Sequence, residues 1–176
     1  MQQKTFFTRK TAWALGALAF ASAAAVFAWL PGQNGAPQAE HTAAAGGHAA
    51  PHQIEVWKDP NCGCCTEWAK RMEGEGFKVV VHNTGNREVR EQFGMPQQYA
   101  SCHTAKVGGY VIEGHTPAAD IRRLLAEKPD ALGLATPGMP LGSPGMDGDM
   151  YQNRKHPYDV LLVAKNGSSS VYQSYR

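Results

Sequence analysis

The sequence predicts an α/β domain built on a central sheet over residues 53–176. Short apolar runs typical of strands alternate with segments whose apolar residues recur at helical spacing. Near the C-terminus, two further apolar runs flank Asn166-Gly167, a dipeptide typical of tight hairpin turns. The order strand, helix, strand, helix, strand, helix and hairpin favours a three-layer arrangement, with helices covering a central sheet.

The first two strand–helix pairs follow from apolar periodicity. Residues 54–57 predict a short strand, which a proline-containing turn ends. Residues 66–75 predict a helix, because the apolar side chains recur on one face. Three consecutive valines predict a second strand over 77–81, and residues 85–93 predict a second helix.

The third pair is marked by turn and capping residues. Residues 106–113 alternate well enough to predict one strand, with Gly108-Gly109 offering a turn within it. Thr116 in the capping position and Pro117 in the first helical position predict the start of a helix. This pattern places the third helix after the third strand, as an α/β chain requires.

The end of the chain divides into a loop and the hairpin. Residues 131–150 are rich in glycine, proline and methionine and predict a long loop, and such loops are usually functional or disordered. Residues 159–165 and 170–175 predict the two strands of the hairpin.

The N-terminus has the pattern of a targeting segment. Three basic residues precede about twenty uncharged and mostly apolar residues. Residues 1–30 are therefore expected to be a signal peptide or an N-terminal membrane anchor, and both interpretations export the chain. Residues 31–52 contain too few large apolar side chains for a core and predict a flexible linker. The expected location is periplasmic, either soluble after cleavage or tethered to the inner membrane.

The charge of the exported domain argues against nucleic acid as a partner. The exported domain contains fourteen basic and fourteen acidic residues, so it is formally neutral. No basic stripe with interleaved aromatic residues occurs, and we therefore expect no nucleic-acid binding.

Four cysteines indicate the chemistry of the domain. Cys62, Cys64 and Cys65 form a Cys-x-Cys-Cys run between the first predicted strand and helix. Adjacent cysteines close only a strained disulfide, so a structural staple is a poor explanation. A thiol at the start of a helix has a lowered pKa and is more readily a thiolate, the form that attacks disulfides and binds metals. A Cys-x-x-Cys pair at this position in an α/β domain is also the arrangement of thioredoxin-like folds.

The fourth cysteine, Cys102, precedes the third predicted strand. In thioredoxin-like folds this loop lies against the Cys-x-x-Cys site and normally carries a cis-proline, which disulfide exchangers use to hold substrate. Here Cys102 and His103 occupy it, and we expect them to be directed at the other three cysteines. A disulfide between Cys102 and one of the trio is the alternative, although it would leave two cysteines to pair or remain free.

Ligand softness favours copper. Thiolates and thioethers select Cu(I), whereas zinc sites usually combine two spaced cysteine pairs. The compact trio suits sulfurs that bridge several metal ions. His103 is a candidate ligand or hydrogen-bonding partner of one, and Met139 and Met146 are candidate thioether ligands or packing residues. His115 either faces the site or caps the third helix, and the capping role is preferred.

Several unusual motifs recur in order in a known family. This chain resembles the CopG-like periplasmic copper-resistance proteins, long known only as a domain of unknown function. The resemblance extends over residues 54–176. The motifs that carry it are Lys-Asp-Pro-Asn-Cys-Gly-Cys-Cys at 58–65, Ser-Cys-His-Thr at 101–104, Gly-Tyr-Val-Ile-Glu-Gly-His-Thr-Pro at 109–117, and the Pro-Gly-Met segments within 137–146.

The resemblance implies a thioredoxin-like fold whose cysteines hold Cu(I) as a multinuclear copper–thiolate cluster. It also implies interconversion of copper oxidation states during detoxification. By motif, the implied ligands are Cys62, Cys64, Cys65 and Cys102. His103, Met139 and Met146 match motif positions without an assigned role, and the linker and anchor lie outside the family pattern.

Two main functions compete at this point. The first is a copper-binding protein of the cell envelope, which stores copper or passes it to copper efflux or other copper-handling envelope proteins. The second is a periplasmic thiol–disulfide oxidoreductase, in which Cys62 attacks and Cys65 resolves. A zinc-stabilised structural domain is a third candidate, which the crowded ligands disfavour.

Overall fold

A computed structural model describes residues 52–176 as a mixed α/β fold around one seven-stranded sheet. The predicted signal or anchor over 1–30 and nearly all of the linker over 31–52 lie outside the described residues. The described part contains no helix that is both long and apolar enough to span a bilayer.

The elements follow the predicted order, with additions. Their bounds are β1 Gln53–Lys58, α1 Gly63–Gly74, β2 Lys78–His82, α2 Arg87–Gln92, β3 His103–Val107, β4 Tyr110–Gly114, α3 Ala118–Glu127, β5 Gly133–Thr136, β6 Tyr158–Val163 and β7 Ser169–Tyr175. Short 3-10 turns occur at Gln97–Tyr99 and Asp149–Tyr151. The strands lie in the order β2-β1-β3-β4-β5-β6-β7, in which the β1–β2 and β4–β5 pairs are parallel and the other neighbouring pairs antiparallel.

Helical segments cover both faces of the sheet. The larger core cluster joins β1, β3 and β4 to the apolar faces of α1 and α3, with Trp68 and Leu124 fully buried. A smaller cluster on the opposite face contains Met95 and Tyr99 from the segment after α2. Neighbouring residues of β4 face opposite ways, with Ile112 in the larger cluster and Val111 in the smaller, as strand geometry requires.

Two strand predictions need correction. The single strand expected over 106–113 is an antiparallel hairpin of β3 and β4, and Gly108 and Gly109 both adopt positive φ in its turn. The loop expected over 131–150 contains β5, which pairs with β4 and β6. Gly133 permits that pairing, because a side chain there would collide with the backbone of Val111. Its glycine made the strand resemble a loop in the sequence.

Two helix starts also differ from the prediction. Helix α1 begins at Gly63 instead of residue 66, so that Cys64 and Cys65 belong to its first turn. Helix α3 has Pro117, rather than Thr116, in the capping position, and no side chain caps it. Both shifts are small, but the first changes how the cysteines are held.

Candidate metal centre

The Cys-x-Cys-Cys run is held at the N-terminus of α1. Cys62 is the capping residue, and its Sγ accepts the backbone N–H of Cys65 at 3.3 Å. Upstream, the backbone N–H of Cys62 donates to the Asp59 carbonyl, which closes a turn directly after β1. The sulfur therefore takes the place of the oxygen in an ordinary helix cap.

The sheet brings the distant cysteine to this turn. Strands β1 and β3 are paired so that Lys58 lies opposite His103, which places Cys102 beside the start of α1. The sulfur atoms of Cys62, Cys64, Cys65 and Cys102 all lie within 4.8 Å of one another. The structure thus brings together all four cysteines that the sequence singled out.

Within this cluster the structure has a disulfide between Cys62 and Cys65, with their Cα atoms 5.4 Å apart. Cys64 and Cys102 remain free, and both are partly buried. The Sγ atoms of Cys62 and Cys64 are 3.6 Å apart. The alternative disulfide from Cys102 to the trio is therefore not the one formed.

A second donor set overlaps the first. It consists of Cys65, Cys102, His103 and His115, whose ligand atoms also lie within 4.8 Å of one another. Cys65 and Cys102 belong to both sets. The six side chains together form one continuous group of soft and borderline donors, from the partly exposed Cys64 to two fully buried histidines.

His115 faces Cys102, contrary to the capping role preferred from the sequence. Its Nδ1 lies 2.8 Å from the Pro144 carbonyl, and its Nε2 lies 3.0 Å from Cys102 Sγ. A carbonyl only accepts hydrogen bonds, so Nδ1 carries the proton and a neutral ring presents the lone pair of Nε2 to the sulfur. The sequence showed His115 between a strand and a helix, which suited a cap equally well.

His103 is the deeper of the two histidines. It is fully buried, and its ring centroid lies 4.4 Å from that of Trp68 and 5.0 Å from that of His115. Its Nδ1 lies 3.6 Å from Cys102 Sγ, within hydrogen-bonding distance of a sulfur, while its Nε2 has no hydrogen-bond partner. A buried polar atom without a partner is unusual and needs an explanation.

Burial controls the protonation of these groups. Burial, followed by repulsion from Cys64, raises the pKa of Cys102 to about 12, so this thiol keeps its proton at neutral pH. Burial also lowers the pKa of His115, and burial and the neighbouring His115 lower the pKa of His103 well below its usual value. Both imidazoles are therefore neutral, the form that binds metal ions.

The methionine-containing loop contacts both cysteine segments through its backbone. The Ser101 hydroxyl donates to the Gly138 carbonyl, next to Met139. Gly145, next to Met146, fits so closely on α1 that an added Cβ would lie 2.5 Å from the Cys64 carbonyl oxygen. Met139 is 52% exposed and Met146 is buried. Both methionines thus follow glycines that contact the cysteine segments.

A cavity of about 690 Å³ opens beside Cys64, between α1 and the end of this loop. Two ion pairs lie at its margin, Lys70 with Glu67 and Arg71 with Asp147. Met150, which is 84% exposed, also lines it. The cavity gives the cysteine cluster an opening to solvent on the Cys64 side.

Comparison with known proteins supports a relation to copper resistance. A family model described as "Protein of unknown function, DUF411" matches residues 99–146, which include Cys102 and both histidines. A solved structure of copper resistance protein CopG, Form 1, is 43% identical and has a TM-score of 0.66, covering 71% of this chain and 98% of its own. Form 2 is 42% identical with a TM-score of 0.65, covering 72% of this chain and 99% of its own. A comparison with curated protein sequences finds no match.

Proposed function

This chain belongs to the family of copper resistance protein CopG, and we propose that it binds Cu(I) through Cys62, Cys64, Cys65 and Cys102. The convergence of these sulfurs within 4.8 Å is the observation that carries the proposal. Thiolates are soft donors that favour Cu(I) over hard cations. The bound copper is cargo, held for detoxification or for transfer onward.

The imidazoles extend the donor set. Neutral His115 presents its Nε2 lone pair at 3.0 Å from Cys102 Sγ, and His103 has a buried Nε2 without a partner. Six donors around two shared sulfurs are more than one Cu(I) ion uses, which supports a multinuclear arrangement in which Cys65 and Cys102 bridge. Met139 and Met146 remain candidate thioether ligands on the loop that contacts both cysteine segments.

Loading requires the thiols to lose their protons. Reduction of the Cys62–Cys65 disulfide by an external thiol or phosphine takes two electrons and two protons and frees both sulfurs. Cys102 has a pKa of about 12, so Cu(I) must displace its proton. His115 Nε2 is the nearest acceptor for that proton, and because burial lowers the pKa of His115, the proton passes on to solvent.

A Cu(I) titration tests this function directly. The reduced domain, titrated anaerobically against a Cu(I) chelator, is expected to bind several copper ions per chain. Sulfur-edge and copper-edge X-ray absorption should then show Cu–S bonds, and short Cu–Cu distances if the cluster is multinuclear. A domain that stays folded and reduced but binds no Cu(I) would contradict the proposal.

The disulfide between Cys62 and Cys65 favours a second function, thiol–disulfide exchange. In the reduced protein, the Cys62 thiolate would attack a substrate disulfide and release one substrate thiolate. Cys65 would then attack the mixed disulfide, release the second and close the observed bond. Against this role, Cys102 and His103 occupy the loop where exchangers carry a proline.

One pair of variants distinguishes copper binding from thiol–disulfide exchange. If exchange is the function, insulin reduction survives Cys64→Ser and Cys102→Ser, because only Cys62 and Cys65 take part. If copper binding is the function, the same substitutions weaken Cu(I) binding and the wild type reduces insulin slowly. Zinc, which would bind as one tightly held ion, is measured in the same preparation by elemental analysis.

We also infer the setting in which the site works. A parallel β1–α1–β2 unit with the cysteines at the start of α1, and β3 antiparallel to β1, supports a thioredoxin-like fold. The predicted N-terminal segment supports a periplasmic location, either free or tethered to the inner membrane. Copper efflux or other copper-handling envelope proteins are the partners expected there.

A further inference from the structure

A carboxylate is fully buried behind the Cys102 loop. Glu113, in β4, lies opposite Thr104 of β3 and has no solvent exposure. We propose that Glu113 is a positioning residue for the metal centre, which holds Cys102 in place by hydrogen bonds to residues on both sides of it. This inference rests on the proposed copper binding and assigns no copper contact to Glu113 itself.

Each carboxylate oxygen of Glu113 accepts a hydrogen bond from one of these residues. Glu113 Oε1 accepts the backbone N–H of Ser101 at 2.7 Å, and Oε2 accepts the hydroxyl of Thr104 at 2.6 Å. Ser101 precedes Cys102, and Thr104 follows it by two residues. One rigid side chain therefore fixes both ends of the segment that carries Cys102 and His103.

The cost of burying this charge argues for a specific role. Among residues 52–176 one cation pairs with it, Arg90, which is itself buried and whose Nη1 lies 3.7 Å from Oε1. Buried ion pairs are often no more stable than well-packed apolar residues of similar size. Stability alone thus does not explain a carboxylate in the middle of the sheet, whereas precise placement of a ligand does.

A second side chain braces the same segment. Asn86 Nδ2 donates to the Ser101 carbonyl and to Thr104 Oγ1, each at 3.2 Å. Asn86 also occupies the capping position of α2, where asparagine is favoured, yet makes no capping bond. Its amide thus contacts the Cys102 segment instead of its own helix, which makes a four-bond clamp together with Glu113.

The placement of Cys102 affects both donor sets. Its sulfur belongs to each of them, and its distance to His115 Nε2 is 3.0 Å. His115 lies two residues after Glu113, so the same end of β4 holds the sulfur and supplies the imidazole that faces it. Loss of the clamp would free the sulfur to move away from both sets.

The test compares two variants with one matched control. Glu113→Gln replaces an acceptor by an amide N–H group. Thr104→Val removes both hydrogen bonds of the Thr104 hydroxyl, the one to Glu113 and the one from Asn86, and keeps the pair of Glu113 with Arg90. Both are expected to bind Cu(I) about 10–100-fold more weakly in chelator competition, as for changes in residues that orient metal ligands. Asp120→Asn removes the charge of a buried carboxylate that hydrogen-bonds Tyr175, away from the centre, and should leave Cu(I) affinity unchanged.

Measuring the effect of Glu113→Gln in the Cys102→Ser and Cys64→Ser proteins distinguishes a positioning role from a general loss of stability. In Cys102→Ser, Glu113→Gln should cause no further loss of affinity, because it acts through that sulfur. In Cys64→Ser, Glu113→Gln should keep its full effect on Cu(I) affinity. X-ray absorption of the copper-loaded double variant should show fewer Cu–S bonds than Cys64→Ser alone. Thr104→Val serves in the same cycle if Glu113→Gln does not fold.

Equal effects in the two backgrounds, or Cu(I) affinities of both variants within twofold of wild type, would overturn the proposal. If wild type itself binds no Cu(I), the proposed function fails instead, and the two outcomes are therefore distinct.

Discussion

Two buried carboxylates of this domain, one in a helix and one in the sheet, lie in contrasting surroundings. Asp120, in the first turn of α3, accepts the hydroxyl of Tyr175 at 2.7 Å, and Tyr175 stacks on Tyr158 with centroids 4.7 Å apart. Glu113 instead hydrogen-bonds Ser101 and Thr104, on either side of a segment in which His103 Nε2 has no partner. The Asp120 bond joins the C-terminal hairpin to α3, and the Glu113 bonds hold a segment of the candidate metal centre.

The contrast lies in what remains unpaired. Buried polar groups cost free energy unless they are hydrogen-bonded. The Asp120 carboxylate finds a partner in the Tyr175 hydroxyl, whereas His103 Nε2 is buried without a partner. An unpartnered imidazole nitrogen beside clustered sulfurs is an unused donor for a metal ion, whereas the Asp120 carboxylate is occupied in joining the hairpin to α3.

Removal of a sulfur that belongs to both donor sets is expected to have the largest effect on Cu(I) binding. Cys65→Ser and Cys102→Ser are expected to weaken Cu(I) binding by more than about 100-fold, because each belongs to both donor sets. Cys62→Ser and Cys64→Ser should have smaller effects. Chelator competition on the reduced proteins measures all four, and equal losses would show that the two sets are not separate.

The pH dependence of Cu(I) affinity tests whether Cys102 is a ligand. The raised pKa of Cys102 means that copper displaces a proton there, so Cu(I) affinity should rise about tenfold per pH unit for each proton released. Titrations at several values between about pH 6 and pH 8 measure the slope. Cys102→Ser should lower that slope by about one, and an unchanged slope would mean that this thiol is not a ligand.

Substitution of His115 tests whether this buried imidazole takes part in copper binding. His115→Gln keeps a polar side chain but removes the Nε2 lone pair that faces Cys102. A loss of about tenfold in Cu(I) affinity is expected, whether the ring binds copper or accepts the displaced proton. Copper-edge spectra separate these roles, since only a ligand contributes Cu–N scattering. Wild-type affinity in this variant would exclude His115 from the centre.

The smallest effect is expected at the other carboxylate. Tyr175→Phe removes one hydrogen bond to Asp120 and should lower the free energy of unfolding by about 1 kcal/mol, measured by urea denaturation. Copper binding should not change. If it did, the hairpin end and the metal centre would be coupled, and the contrast between them would fail.

The sequence predicted the strands and helices that carry strong periodicity. Residues 54–57, the valines of β2 and the Asn166-Gly167 hairpin all have local signals, and their elements formed as expected. Strand β5 was missed, because Gly133 and the surrounding glycines and prolines mimic a loop. Its place depends on a close approach to Val111, which only the folded sheet reveals.

For the site, residue chemistry identified the cysteines, but not their full surroundings. Cys102 was placed by analogy of loop position, and the β1–β3 pairing brings it to the trio. His115 was assigned to the wrong preferred role, because its contact with Cys102 depends on the turn of the β3–β4 hairpin. Glu113 lay within the motif at 109–117 but received no role, and Asn86 was not singled out, since a polar residue in a strand or before a helix is ordinarily exposed.

If the domain binds copper as proposed, the pairing of β1 with β3 couples copper binding to folding. Three of the four sulfurs are neighbours in sequence and stay together in an unfolded chain, but Cys102 joins them only when the sheet forms. Copper should therefore favour the native state by the difference between its affinities for the complete and the partial set. Under copper stress the loaded protein would be the more resistant to heat and proteolysis, and the empty protein the more readily degraded.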